Sequence, residues 1–328
     1  MSSVMTGEVP AVSASARMPL YIVFNLASGS GDGQQNQQAM QQVLKDAGRD
    51  HQFFLVRDPK QIMHHAGRAA EAAAQNGGAV VVAGGDGTIN AVAQATLHTG
   101  QPFGIVPQGT FNYTSRAHGI PLETAPATKT LLEAAPKRMQ VGLVNDKVFL
   151  VNASLGLYPQ LLQDRETAKR QFGRYRAVAF ASAVGTVLRG NGFLTLDLEH
   201  DQVRENVRTP SVFIGNNALQ LEQTGIPEAA VIGQEQLAGV ILRESGPSAL
   251  LGLMMRGVLG QLGAAESLRH FSFNRMSIRP ALRGVRKLKV ALDGELHWMK
   301  PPLVFRVAPE PLWLLAPQPT AAGSNQET

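Results

Sequence analysis

The sequence predicts two domains: an N-terminal α/β domain built on a doubly wound parallel sheet, and a second domain that is mainly antiparallel β. In the first part of the chain, short apolar runs alternate with segments of helical periodicity, as expected for repeated strand–helix units. The run AVVVA at residues 79–83 is apolar throughout, which is typical of a strand buried on both faces. From about residue 144 onward, strand-like runs predominate.

Each predicted element rests on a local pattern of apolar residues and turn residues. In the first domain we predict strands at residues 20–25, 51–56, 79–83 and 103–106, and helices at 37–47, 61–75 and 89–97. In the second we predict strands at residues 147–154, 193–199, 211–215, 237–242 and 286–292, a helical stretch at 168–188 and an apolar stretch at 249–262.

The domain boundaries follow from these patterns. We place a disordered leader at residues 1–17, the first domain at 18–143, the second at 144–317 and a disordered tail at 318–328. An alternative is that the last strands return to the first domain.

Composition excludes several classes of protein. With 44% hydrophobic and 17% charged residues, the 328-residue chain can bury a core and is not wholly disordered. The absence of cysteine excludes a disulfide scaffold, a thiolate metal site and a thiol nucleophile. No segment reaches the roughly 18 apolar residues that a membrane-spanning helix needs.

The motif that carries the most chemical information is VVVAGGDGTIN, at residues 80–90. A predicted buried strand leads into GGDGT, and a helix follows. Glycines let consecutive backbone N–H groups face one anion, and the helix N-terminus adds partial positive charge. The motif lacks the GxGxxG spacing of dinucleotide sites and the lysine of a P-loop. It predicts a phosphate site in which Asp86 either faces Mg²⁺ or accepts a hydrogen bond.

A second loop indicates the family. PQGTFNYTSRAHGIP, at residues 107–121, resembles the PxGTxNDFAR segment of the diacylglycerol kinase catalytic family, which also includes sphingosine, ceramide and bacterial lipid kinases. NLASG at residues 25–29 resembles the NPxSG loop of that family, and DGE at residues 293–295 resembles its late DGE motif. The resemblance extends from residue 20 to residue 317. It implies an N-terminal domain like those of phosphofructokinases and NAD kinases.

The resemblance implies an ATP-dependent lipid kinase that transfers the γ-phosphate to a lipid hydroxyl, with a diacylglycerol-like acceptor. It implies that Glu295, helped by Asp293, is the general base, and that Asp86 lies near the Mg²⁺ bound with ATP. The residues expected to hold ATP are Asn25, Ser28, Gly29, Gly84, Gly85, Asp86, Gly87, Thr88, Asn90, Thr110 and Asn112.

The DGE motif also has a structural interpretation. Asp-Gly between LKVAL and ELHW is a good signal for a β-hairpin turn. If residues 292–296 were extended instead, Asp293 and Glu295 would point to one face, because side chains in a strand alternate. A turn that also presents its carboxylates combines the two interpretations.

Two departures from the family pattern bear on function. Tyr113, Thr114 and Ser115 replace the Asp, Phe and Ala of NDFAR, so the acceptor is left open. Bacterial relatives hold a structural Mg²⁺ with a loop of the type LDEGxL, and here Gly233 replaces the aspartate. Two alternatives to the lipid kinase therefore stay open: a catalytically silent nucleotide- or lipid-binding protein, and a soluble-substrate kinase such as an NAD kinase.

The net charge and its distribution along the chain predict the binding partners of the protein. The net charge is +5, and residues 269–289 contain Arg and Lys but no Asp or Glu. With Lys169, Arg170, Arg174 and Arg176, this stretch predicts transient binding to an anionic membrane surface. A lipid substrate is expected, nucleic acid is not, and a homodimer is an open alternative. We expect a cytoplasmic location, with a peripheral position at the inner membrane face as the alternative.

Overall fold

The computed structural model describes residues 18–28, 32–157, 193–243, 262–282 and 284–317, together with residues 159, 252 and 256. Several predictions lie outside the described residues: the leader at 1–17, Gly29, the helical stretch at 168–188 with its four cations, most of the apolar stretch at 249–262, and the tail at 318–328.

The described residues form the following elements. The strands are β1 (Leu20–Asn25), β2 (His51–Val56), β3 (Ala79–Gly84), β4 (Pro102–Pro107), β5 (Ala135–Met139), β6 (Gly142–Val144), β7 (Lys147–Phe149), β8 (Asn152–Gly156), β9 (Leu194–His200), β10 (Val203–Thr209), β11 (Ser211–Gly215), β12 (Leu237–Leu242), β13 (Leu268–Phe273), β14 (Arg275–Pro280), β15 (Leu288–Leu292), β16 (Glu295–Met299), β17 (Leu303–Val307) and β18 (Leu312–Ala316). The helices are α1 (Gly33–Asp46), α2 (Ile62–Asn76), α3 (Asp86–Thr96), α4 (Tyr113–Ala117), α5 (Thr124–Glu133) and α6 (Ala218–Gln223). Short 3-10 turns lie at Pro59–Gln61, Pro227–Val231 and Leu262–Ala264.

The chain divides into two compact units. The first takes Met1–Met139 with Glu310–Thr328, and the second takes Gln140–Pro309. Strand β18, near the end of the chain, belongs to the sheet of the first unit.

The first unit is an α/β sandwich around one sheet of strand order β2-β1-β3-β4-β18-β5. Neighbouring strands run parallel from β2 to β18, and only β5 is antiparallel to its neighbour. Strands β1, β3 and β4 are buried along their whole length, because helices α2, α3 and α5 pack on the sheet. Alternating strand and helix periodicity therefore produces the predicted doubly wound sheet.

The second unit packs two antiparallel sheets around a hydrophobic core. Their strand orders are β10-β9-β14-β17-β6-β7 and β13-β12-β11-β8-β15-β16. The core takes large side chains from both sheets, including Phe149, Phe273 and Phe305, none of which is exposed. Phe149 and Phe305 pack edge to face, with ring centroids 6.5 Å apart.

The predicted fold class is confirmed in both units. The local predictions missed some elements, because β5, β6, β10, β13, β14 and β16 lie where no strand was predicted. One correction affects the site: the helix predicted from residue 89 begins at Asp86, so the last residues of GGDGT form its first turn.

We expect Phe305→Ala to destabilise the second unit by about 3–5 kcal/mol, because the change leaves a cavity in the buried core. The exposed Val203→Ala, on strand β10, is the matched control and should change stability by less than about 0.5 kcal/mol. Urea unfolding followed by circular dichroism measures both. Equal midpoints for the two variants would contradict the assigned core.

Candidate functional site

Three glycine-containing loops follow three neighbouring parallel strands. Strands β1, β3 and β4 are adjacent in the sheet, and the loop residues 26–28, 85 and 108–112 come directly after them. Because the carboxyl ends of parallel strands meet at one edge of a sheet, the loops lie together there. This edge is the usual ligand-binding edge of such a fold.

The first loop is joined to the second by a buried hydrogen bond. Asn25, the last residue of β1, donates from Nδ2 to Oγ1 of Thr88 in α3 at 2.9 Å. Its own Oδ1 accepts the N–H of Ala27 at 3.0 Å. Asn25 therefore shapes the turn that carries Ser28 and at the same time fixes the first turn of α3.

Close backbone contact joins the second and third loops. A Cβ on Gly109 would lie 2.8 Å from Oδ1 of Asn112 and 3.0 Å from Cα of Gly85. A Cβ on Gly84 would lie 2.6 Å from Cβ of Thr88. Gly109 is thus required for the close approach of the two loop backbones, and Gly84 for the close approach of the Thr88 side chain.

Asp86 is the charged link between these loops. Its Oδ2 accepts the backbone N–H of Asn112 at 3.0 Å. Asn112 adopts the left-handed conformation (φ 48°), and its side chain closes the turn by bonding both the N–H and the C=O of Gly109. The sequence left two interpretations of Asp86 open, contact with Mg²⁺ or acceptance of a hydrogen bond, and the structure shows the hydrogen bond.

The N-terminus of α3 fits a phosphate group. Gly85 precedes the helix in an extended conformation and, as a glycine, provides no side-chain cap at the helix N-terminus. The helix dipole adds partial positive charge at this point. Gly87, Thr88 and Asn90 lie in the first two turns, and Thr110 lies exposed in the loop after β4.

Asp293 lies in a tight turn. It and Gly294 form the two-residue loop between β15 and β16, with φ of 46° and 88°, as a type I′ turn requires. Its Oδ1 accepts the N–H groups of Val151 and Asn152, both at 2.9 Å, and its Oδ2 accepts that of Leu150 at 2.8 Å. Of the two interpretations of DGE, the structure shows the hairpin turn, so Asp293 and Glu295 do not lie in one extended strand.

Glu295 is the exposed first residue of β16. His297 lies on the same face of the strand, two residues further along. Burial lowers the pKa of His297, Lys147 lowers it further, and the nearby Glu295 carboxylate opposes both effects. At neutral pH, His297 is therefore an uncharged neighbour of Glu295.

The loop around Gly233 is held by an amide side chain. Oε1 of Gln140 accepts the N–H groups of Gly233 (3.1 Å) and Glu235 (3.0 Å), and its Nε2 donates to Oδ1 of Asn216 (2.8 Å) and to the carbonyl of Gln236 (2.9 Å). Within the described residues, no cluster of three or more His, Asp or Glu side chains could hold a metal ion. A neutral network thus fixes this loop.

Sequence reasoning missed two buried polar side chains beside the third loop. Both amide atoms of Gln108 and Oγ of Ser115 have no hydrogen-bond partner in the part of the chain that the structure describes. Gln108 occupies the variable position of PxGTxN, so the motif carried no signal for it. These atoms are available to a ligand or to ordered water.

Comparisons with known proteins agree with this geometry. Residues 19–144 match the family model of the diacylglycerol kinase catalytic domain. This part of the chain is similar to that catalytic domain. The match covers all three loops of the first unit and ends before the DGE turn.

Curated relatives are similar over part of their length. A diacylglycerol kinase from Bacillus subtilis is 30% identical over 146 residues, which cover 44% of this chain and 47% of that protein. A probable lipid kinase YegS-like from Pseudomonas syringae is 33% identical over 130 residues, or 38% of this chain and 42% of that protein. An uncharacterised protein from Synechocystis is 30% identical over 155 residues, or 44% of this chain and 36% of that protein. The matches therefore span about a third to a half of these relatives.

A solved structure shares the fold over most of the chain. It is a putative diacylglycerol kinase from Bacillus anthracis, with a TM-score of 0.70, 18% sequence identity, and coverage of 92% of this chain and 97% of that one. At this identity, the likeness shows a shared fold over most of the chain and carries no statement about activity.

We expect Asp293→Asn to lower the free energy of unfolding by about 1.5–3 kcal/mol, because an amide cannot accept all three backbone N–H groups. Asp201→Asn is the matched control, since Asp201 has the same left-handed conformation in the β9–β10 turn but is exposed. Thermal unfolding compares the two. An equal change in both variants would contradict the anchoring role of Asp293.

Proposed function

We propose that the protein is an ATP-dependent lipid kinase that phosphorylates a lipid hydroxyl, with a diacylglycerol-like acceptor. The observation that carries this proposal is the joining of the GGDGT and PQGT loops by Asp86 and Asn112 at the ligand-binding edge of the sheet. The family match of residues 19–144 supports it.

The chain would hold ATP with the three loops of the first unit. The N–H groups at the start of α3 would face phosphate oxygens, and Thr88, fixed by Asn25, would present its hydroxyl beside them. Ser28, Gly29 and Thr110 complete the proposed set. ATP with its Mg²⁺ supplies the phosphoryl group and neutralises the charge that develops on transfer.

Asp86 has a positioning role in this proposal. Its hydrogen bond to Asn112 holds the two phosphate-facing loops at a fixed separation. A carboxylate near phosphates is tolerated when Mg²⁺ neutralises both, so Asp86 is also the proposed contact of the ATP-bound metal.

Glu295 is the proposed general base. Glu295 is exposed, so a substrate hydroxyl can reach its carboxylate. The neighbouring His297 is uncharged and therefore does not form an ion pair with that carboxylate. Asp293 supports it by fixing the turn from which β16 begins, since its own carboxylate is engaged by three backbone N–H groups.

A second candidate is a nucleotide-binding protein without kinase activity. It is favoured by the engagement of the Asp293 carboxylate in the turn, which leaves Glu295 as the single carboxylate of the motif that could act as a base. Binding of ATP without turnover of any lipid would distinguish this candidate from the kinase.

We expect the wild-type protein to transfer label from γ-labelled ATP–Mg²⁺ into one component of a mixed lipid extract. Glu295→Gln should lower that rate by about 10²–10⁴-fold, the usual effect of losing a general base. Glu222→Gln, an exposed glutamate on α6, is the control and should leave the rate unchanged. Chromatography of the labelled products identifies the acceptor.

Other outcomes assign other functions. Equal labelling by Glu295→Gln and wild type would show that Glu295 is not the base. ATP binding with no labelled lipid would support the silent binder, and labelled NAD in lipid-free buffer would support a soluble-substrate kinase.

A further inference from the structure

The basic stretch at residues 269–289 divides into two chemically different parts. In the first part, Arg269 forms an ion pair with Glu205 on β10, and Arg279 is paired in register with Asp197 on β9. Arg279, Asp197 and Glu205, with Glu199, lie on a mixed-charge surface. Two arginines of the first part thus lie beside carboxylates of the neighbouring strands, while Arg275 is paired in register with Arg306 on β17.

The second part lies beside exposed apolar side chains instead. Four large apolar side chains are exposed here: Leu282 (69%), Val285 (38%), Leu296 (39%) and Trp298 (64%). Such exposure is unusual for large apolar side chains, and here they lie within one short region of the chain. We call the exposed residues 282 and 284–287, with the outer face of the β15–β16 hairpin, the hairpin surface.

Strand register brings the cations and the apolar groups together. Lys289 is paired with Trp298, and its Nζ lies 5.0 Å from the ring centroid. Leu288 is paired with Met299, so the exposed Val285, Arg286 and Lys287 lie just beyond the Trp298 end of the hairpin. The exposed Lys300 follows on the other strand.

The chemistry of this surface fits one kind of partner. Tryptophan and aliphatic side chains partition into the boundary between headgroups and acyl chains, and nearby lysines and arginines bind anionic headgroups. The acidic residues within 282–300 are Asp293, whose carboxylate accepts three backbone N–H groups, and Glu295, which points to the opposite face of β16 from Leu296 and Trp298. In the described residues no helix is long and apolar enough to cross a bilayer.

We propose that the hairpin surface docks the protein on an anionic lipid bilayer, with Trp298 and Leu296 entering the interface and Arg286, Lys287 and Lys289 binding headgroups. The proposal rests on the composition of this surface and not on the proposed kinase activity. It assigns the membrane contact to residues 282–300 and excludes the mixed-charge surface around Arg279.

Tryptophan fluorescence tests the proposal directly. The chain has two tryptophans, so a Trp313→Phe background leaves Trp298 as the only reporter. Vesicles of phosphatidylcholine alone are compared with vesicles that also contain phosphatidylglycerol, without ATP. We expect a blue shift of Trp298 and its quenching by brominated acyl chains with the anionic vesicles only.

Matched variants distinguish binding through the hairpin surface from a general electrostatic attraction between the basic protein and anionic vesicles. Arg286→Gln and Lys287→Gln should each weaken binding to anionic vesicles by about fivefold, as expected from the loss of one cation near the membrane surface. Arg204→Gln removes an exposed cation on β10 that forms an ion pair with Glu199, and it should have no such effect. In the protein that keeps Trp313, Trp298→Ala should lower the fraction of protein that sediments with anionic vesicles, while Val203→Ala should not. All these positions except Trp313 are exposed, and thermal unfolding confirms that each variant is folded.

Four results would overturn the proposal. These are equal binding to neutral and anionic vesicles, no quenching of Trp298 by brominated lipid, equal loss with Arg204→Gln, and a blue shift that grows with protein concentration in the absence of lipid. The last result would assign the surface to a contact between copies of the chain. None of these results depends on kinase activity, so this proposal and the proposed function fail separately.

Discussion

The hydrogen bond from the backbone of Asn112 to the carboxylate of Asp86 is the interaction on which the candidate site depends. It joins the two glycine motifs at the carboxyl ends of adjacent strands. Hydrogen bonds to a charged acceptor are stronger than neutral ones, so a single contact can fix the geometry of two loops. The left-handed Asn112 and the closely packed Gly85 and Gly109 are arranged around it.

An aspartate carboxylate that accepts backbone N–H groups also occurs in the second unit. Asp293 starts a two-residue turn, and its carboxylate accepts N–H groups from residues 150–152. In both motifs the aspartate therefore shapes backbone first, and the groups that would meet a substrate are its neighbours: the N–H groups at the start of α3 and the carboxylate of Glu295. A chemically suggestive aspartate in a glycine-rich turn can thus have a mainly architectural function.

The sequence correctly predicted the elements that depend on local patterns of residues. Apolar runs and glycine-rich loops located β1, β3 and β4, and hence the edge at which the loops meet. Helix α3 was placed three residues too late, because Asp86 and Gly87 are poor helix formers and the helix start depends on packing against Gly84 and Asn25.

Contacts between distant parts of the chain could not be predicted in this way. Gln140 fixes a loop 93 residues away, and nothing near it in the sequence signals that role. The division of the basic stretch between a mixed-charge surface and the hairpin surface depends on strand pairing, which a single sequence does not specify.

The most direct test of the central claim is calorimetric titration of ATP–Mg²⁺ into the wild-type protein and Gly109→Ala. The added Cβ would displace Asn112 from Asp86, so we expect affinity to fall at least about tenfold, or about 1.4 kcal/mol. Gly67→Ala, at an open position in α2, should bind as the wild type does. No ATP binding by the wild type, or unchanged binding by Gly109→Ala, would contradict the assignment of these loops as the nucleotide site.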